Sequence, residues 1–203
     1  MKKLVVLLLA TLVATSAFAV IDPDPDMVGI YFDMTADDNC LTIGASAPFF
    51  AYFIATNPTP GGINAYEFGF NNAVPAGMEG MVFMLGSNVA NGVVSGVDVG
   101  DHTPLGGDYI VGLASALPAT EATILHSWQY MLLAEIPVEM FIFQSSKPSI
   151  PGVYPVLQDA DGSRLYQAGQ STGGPDVPVA TVNADCAVGV EDASFGSVKS
   201  LFR

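Results

Sequence analysis

PFFAYFIATNPTPGGINAYEFGF, from Pro48 to Phe70, holds the pattern that decides the fold. Two apolar, aromatic-rich runs, Pro48 to Thr56 and Ile63 to Phe70, flank the segment Asn57-Pro58-Thr59-Pro60-Gly61-Gly62. Each proline disfavours helix at the residue before it and the glycines favour a turn, so the runs read as strands joined by a hairpin or a sheet-crossing arch. In the second run Asn64, Tyr66, Phe68 and Phe70 fall on one face, with Ile63, Ala65, Glu67 and Gly69 on the other. Successive strand residues point to opposite faces, which makes the aromatic face the predicted core side.

The same grammar extends in both directions. Met27 to Phe32 and Leu41 to Ile43 read as strands ahead of this pair. Gly80 to Leu85, Asp108 to Leu113, Ala122 to Trp128, Tyr130 to Ala134 and Val138 to Gln144 follow it. Tyr154 to Leu157 and Ser163 to Gln167 flank Asp159-Ala160-Asp161-Gly162, whose Asp-Gly pair signals a tight turn. Residues 168–177 read as a loop, and Pro178 to Val182 closes the series. Recurrent turn signals without a long helical period predict an all-β chain, an immunoglobulin-like or jelly-roll sandwich. The tail breaks the pattern: Phe195, Val198, Leu201 and Phe202 fall at helical spacing and predict a short C-terminal helix, with Lys199 and Arg203 suited to its end.

At the other terminus, Lys2 and Lys3 precede an apolar run from Leu4 to Val13, and Ala17-Phe18-Ala19 matches the small-x-small cleavage pattern. Residues 1–19 are therefore expected to be a secretory signal peptide, 20–187 a β-sandwich domain and 188–203 a tail. The apolar run is short for a membrane span, so no span is expected after cleavage. The expected location is extracellular or at the cell surface, with the periplasm as the other exported compartment. Without Lys2 and Lys3, four cations (Lys147, Arg164, Lys199 and Arg203) face 20 acidic residues, a net charge of −16. That surface repels phosphate backbones and sets nucleic-acid binding aside.

Export also bears on Cys40 and Cys186, the two cysteines of the chain. An oxidising compartment and an even count permit one disulfide between them, closing almost the whole exported chain into a loop. No basic or histidine neighbour would activate either thiol as a nucleophile.

Catalytic patterns are sparse. His126 lies beside Ser127, but adjacent strand residues diverge and no Gly-x-Ser-x-Gly elbow is present; His102 sits in a loop. Zinc would need three or four convergent ligands, which two distant histidines and a cysteine pair do not supply. Glu67 is the best acidic candidate for glycoside hydrolysis, with Glu135 and Glu139 flanking Pro137. Asp159 and Asp161 offer hard oxygen ligands for calcium, and Asp22, Asp24 and Asp26 offer a second set. The Asp159–Gly162 turn departs from an EF-hand loop, and a plain hairpin turn explains it as well. Phe49, Phe50, Tyr52, Phe53, Tyr66, Phe68 and Phe70 would make a glycan-binding platform only if two or three were exposed on one sheet.

The run from Phe50 to Asn71, followed later by Ala122 to Phe143, resembles the cohesins and related carbohydrate-binding sandwiches of secreted bacterial proteins. The resemblance is carried by Gly62-Ile63-Asn64-Ala65-Tyr66-Glu67-Phe68 after a polar Pro/Gly turn, and by Leu125-x-x-Trp128-x-Tyr130. The tail SFGSVKSLFR is similar to short C-terminal segments of exported bacterial proteins. These likenesses carry no catalytic residue. The expectation is a non-catalytic binding or assembly module holding a protein or a glycan. An extracellular hydrolase and a purely structural envelope protein are the alternatives.

Overall fold

The computed structural model describes residues 22–186, so the signal sequence and the tail helix expected from the sequence lie outside the described residues. The first strands are β1 (Met27–Tyr31), β2 (Cys40–Leu41), β3 (Pro48–Thr56), β4 (Gly62–Ala73) and β5 (Val82–Val89). Then come β6 (Gly96–Asp98), β7 (His102–Thr103), β8 (Gly106–Pro118), β9 (Ala122–Leu132) and β10 (Val138–Phe143). Last are β11 (Val156–Asp159), β12 (Leu165–Gln167), β13 (Gly169–Gln170) and β14 (Ala180–Val182). Among the described residues no helix is long and apolar enough to cross a membrane.

These strands form the two layers of a β-sandwich. The smaller sheet has the order β13-β1-β3-β9-β5. In the larger one β4 is the spine: β8 pairs along one edge, while β11 and β10 share the other, opposite Ile63–Glu67 and Gly69–Ala73 respectively. Strands β6 and β7 extend this sheet beyond β8, β12 extends it beyond β11, and β14 and β2 extend it beyond β10.

The segment from Pro48 to Phe70 behaves as an arch, because β3 lies in one sheet and β4 in the other. Asn57 starts the crossing at φ 46°, a left-handed conformation that Asn tolerates better than most residues. The Asp26 carboxylate fixes the arch by accepting the Thr59 N–H at 2.8 Å and its hydroxyl at 2.7 Å.

Tyr66, Phe68 and Phe70 point inward as their alternation requires and meet Phe53, Tyr109 and Trp128 between the sheets. Ring centroids are 4.0 Å apart for Phe53–Phe68 and 5.3 Å for Phe70–Trp128, with the latter rings stacked. Ile63 departs from its predicted outward face. A register shift between Ile63 and Ala65 turns it into the core. Cys40 and Cys186 are joined by a disulfide with their Cα atoms 5.2 Å apart, beside the parallel pairing of β2 and β14.

Candidate docking face

The outer face of the large sheet carries two rows of side chains, Ala65, Glu67 and Gly69 on β4 and Gly112, Ile110 and Asp108 on β8, paired across the strands. After β10 the chain crosses this face as a strap, residues 144–153, closed on itself by a hydrogen bond from the Gln144 N–H to the Val153 carbonyl at 3.1 Å. Two carboxylates hold the strap down. Asp108 accepts the Ser146 N–H at 2.8 Å and the Ser146 hydroxyl. Glu67 accepts the Ser149 N–H at 2.6 Å and the Ser149 hydroxyl at 2.8 Å. Hydrogen bonds to an ionised acceptor are among the stronger ones, so each clasp is a firm anchor.

Gly69 lies under the strap's root because nothing larger fits. A Cβ there would stand 2.3 Å from the Phe143 ring. Beyond Ser149 the face opens into a trough of about 370 Å³. Ala65, Ile110 and Gly112 are among its floor residues, Val97 and Val99 form one wall and Leu165 the other. The wall residues face solvent: Val97 is 68% exposed, Val99 69% and Leu165 40%. Contiguous exposed apolar side chains in a concavity mark an interaction surface more often than scattered ones do.

Glu67 is thus no ordinary outward-facing residue. It is 6% exposed, covered by the strap, with both carboxylate oxygens committed to Ser149. Glu135 and Glu139 lie at the opposite end of the sheet, where Glu139 is exposed and pairs with Ala73.

A second polar group lies inside, between the sheets. His126 on β9 pairs through Nε2 with the Ser87 hydroxyl at 2.7 Å and through Nδ1 with the Tyr66 hydroxyl at 2.8 Å. Beside it the Trp128 indole N–H donates to Tyr109 at 2.6 Å. His102 closes the open edge, stacked on Tyr109 with ring centroids 4.2 Å apart and bonded to Asp98 at 3.0 Å. Burial, reinforced by His102, pushes His126 down to about 3. The same desolvation raises the Tyr66 and Tyr109 hydroxyls above the phenol range. The histidine's serine partner is Ser87, which no local sequence pattern singles out, and not Ser127, whose hydroxyl reaches the Asn88 carbonyl. A neutral histidine with a tyrosine where a triad has its carboxylate is a poor proton relay. The group works as a seam joining the sheets.

The calcium candidates are engaged locally. Asp159 accepts the Ser163 hydroxyl and the Arg164 N–H, and Asp161 accepts the Ser163 N–H, closing the β11–β12 hairpin. The Ser163 hydrogen bonds hold the Asp161 carboxyl below its ordinary value. Asp22 accepts the Asp24 N–H, while Asp26 serves the arch. Among the described residues no group of three or more His, Cys, Asp or Glu side chains is arranged to hold a metal ion. Of the aromatics considered for a glycan platform, Phe49, Tyr52, Phe53, Tyr66, Phe68 and Phe70 are buried. Phe50 is 44% exposed on the outer face of the small sheet, as is Phe83, a residue outside the aromatic-rich run.

No protein-family model and no curated protein matches the chain. Solved structures do. The sixth cohesin of scaffoldin B from Acetivibrio cellulolyticus, in complex with a Cel5 dockerin mutant, superposes with a TM-score of 0.50 at 9% identity, covering 78% of this chain and 98% of that one. The type II cohesin dyad of the adaptor scaffoldin ScaA from the same organism gives 0.53 at 14% identity. There 79% of this chain is covered and about half, 49%, of the dyad. At such identities the likeness speaks of the backbone: the chain has a cohesin-like β-sandwich fold.

Proposed function

We propose that the chain is an exported, non-catalytic module that holds a protein partner on the outer face of its large sheet. The observation that carries this reading is the open apolar trough, with Val97 and Val99 left to solvent on a face where the strap is pinned by two carboxylate clasps. The fold supports it: among the similar structures, a cohesin is held in complex with a dockerin. The binding energy of such a face would come from a few desolvated apolar anchors. The Cys40–Cys186 disulfide and the strongly acidic composition fit an extracellular or cell-surface setting.

The test compares the full chain with the double variant Val97→Asp/Val99→Asp, each immobilised and exposed to envelope extract of the producing cells. The expected result is a polypeptide enriched by the parent and lost with the variant, which binds again when purified. Equal capture by both chains would overturn the reading. Phe50 and Phe83 on the small sheet favour a second reading, a glycan platform. Parent binding on a glycan array, lost in Phe50→Ala/Phe83→Ala and kept in Val97→Asp/Val99→Asp, would select it.

A further inference from the structure

We propose that the open part of the small sheet's outer face is the seat of the chain's own C-terminal tail, residues 187–203, which lays Phe195, Val198, Leu201 and Phe202 across Phe50 and Phe83. The seat is separate from the trough, so this inference and the docking reading stand or fall apart.

The face comes first. Pro48 and Phe50 on β3, Gln129 and Met131 on β9 and Phe83 on β5 are in register: Met131 lies between Pro48 and Phe83, and Gln129 opposite Phe50. Residues paired across strands share a face, and this one is turned to solvent. Phe50 and Phe83 are each 44% exposed, and Leu85, further along β5, is 49% exposed. None of the six carries a charge, although the chain is strongly acidic. The patch also continues a surface that the chain already covers. Phe50 stacks on Tyr52 with ring centroids 6.1 Å apart, and Tyr52 is buried with Ala36 of the segment after β1. A contiguous apolar patch of this kind marks an interaction surface.

The path of the chain brings the tail to this face. Cys186 is joined to Cys40, with Cα atoms 5.2 Å apart, and the Cys40 N–H donates to the Asp38 carboxylate at 3.0 Å. The Asp38 carbonyl in turn accepts the Phe32 N–H, directly after β1, whose last residue Tyr31 pairs with Tyr52. Cys186 is thus fastened on the β1 side of the face. From β1 across β3 and β9 to β5 there are three strand spacings, roughly 14 Å at about 4.8 Å each. The 17 residues after Cys186 can extend to roughly 56–61 Å, so reach is not limiting. The tail's apolar residues also match the seat. At their helical spacing Phe195 and Phe202 stand about 10.5 Å apart along the axis. The two spacings from β3 to β5 come to about 10 Å.

Charge selects the tail over a second copy. The described residues hold 18 acidic side chains against two cations, Lys147 and Arg164. Residues 193–203 reverse that balance, with Lys199 and Arg203 and no acid. Burial, and after it the Asp33 charge, raise the Tyr52 hydroxyl above the phenol range, which places an acid beside the covered end of the patch. A second copy, as acidic as the first, is repelled by the summed field of the domain. The tail brings the opposite sign, and its tether holds it at an effective concentration on the order of millimolar.

Photo-crosslinking tests this on the full chain with benzoylphenylalanine in place of Phe202, the products being mapped by mass spectrometry. The expected product is a crosslink within the monomer to the β3, β9 or β5 peptides that hold Phe50, Met131 or Phe83. It is expected to vanish in Phe50→Asp/Phe83→Asp, two surface changes that leave the melting transition in place. Trypsin supplies the second measurement, because cleavage after Lys199 tracks the undocked population. Cleavage is expected about tenfold faster in Phe50→Asp/Phe83→Asp than in the parent, equivalent to about 1.4 kcal/mol of docking. Should that variant fail to fold, Val198→Asp/Leu201→Asp, changed only in the tail, takes its place in both measurements. Crosslinks to the trough residues, crosslinks confined to a dimer, no crosslink at all, or equal trypsin rates would each overturn the proposal.

Discussion

On the outer face of the small sheet the chain covers its own apolar side chains around Tyr52 and Ile54, though not Phe50 or Phe83, whereas on the large sheet it builds walls and leaves the floor open. Tyr31, Tyr52 and Ile54 point outward from β1 and β3, yet all are buried with Ala36, which comes from the segment after β1. That segment is shaped by Asp33, whose carboxylate accepts the backbone N–H groups of Thr35, Asp37 and Asp38. The strap over the large sheet is fastened by carboxylates in a similar way, but it reaches no further across the face than Ser149, and Val97, Val99 and Leu165 remain exposed. One kind of fastening thus serves two ends. A loop held by carboxylate hydrogen bonds either completes a core or frames a surface, according to what lies beneath it.

The contrast predicts its largest effect at Ile54. Truncating a fully buried isoleucine removes its transfer energy and leaves a cavity, so Ile54→Ala should cost about 2–5 kcal/mol in urea unfolding. A loss under about 0.5 kcal/mol, the range of an ordinary surface substitution, would mean that the covered face is no second core.

Acid should act on both faces together, because the seam beneath them joins the sheets: His126 and Ser87 belong to the small sheet and Tyr66 to the large one. Burial lowers His126 from 6.5 to about 3 in the folded protein. Between those values the unfolded chain binds a proton that the folded chain refuses, so this contribution is complete above pH 6.5 and declines as the pH falls toward 3. At pH 5 the loss from this residue is about 2 kcal/mol. It is measured as the difference in pH-dependent stability between the parent and His126→Gln. Parallel profiles for the two chains would assign the acid sensitivity elsewhere.

How far these features are legible in the sequence depends on the range over which each is determined. Strand β3 is found from Pro48 to Thr56 as predicted, and the inward turn of Tyr66, Phe68 and Phe70 follows from local alternation. Ala122–Trp128 and Tyr130–Ala134, predicted as two strands, are one strand ending at Leu132, since Gln129 lies in register between Phe50 and Gly86 without interrupting the pairing. Strands β6 and β7 escape sequence reading because strands of two or three residues carry no periodicity, and with them goes the trough's valine wall. The burial of Glu67 depends on Ser149, 82 residues away, and the His126 seam on Ser87, 39 residues away. No local pattern encodes contacts at such separations.

On the open face the strap itself can be loosened by degrees. Ser149→Ala removes the hydroxyl half of the Glu67 clasp and keeps the backbone half, so it should cost about 1 kcal/mol. Its signature is local: hydrogen exchange should quicken across residues 144–153 while the segment over Tyr52 and Ile54 stays protected. Quickening at both segments would show that the two covers are coupled through the sandwich and are not independent fastenings.

The smallest stability effect belongs to the residues most exposed. Val97→Ala and Val99→Ala remove methyl groups that already face water, so each should change unfolding free energy by less than about 0.5 kcal/mol. Each pair of methyls nevertheless lies in the trough wall, where a partner would desolvate it, and burying a methylene-sized group is worth about 0.8 kcal/mol. The double variant should therefore bind a trough-filling partner roughly tenfold or more weakly, measured by titration beside an unchanged urea midpoint. That separation distinguishes the two outer faces: at Ile54 apolar burial is realised when the chain folds, and at Val97 and Val99 it is held over for association. A double variant that unfolds early would place the valines with the covered face, as ordinary contributors to the fold.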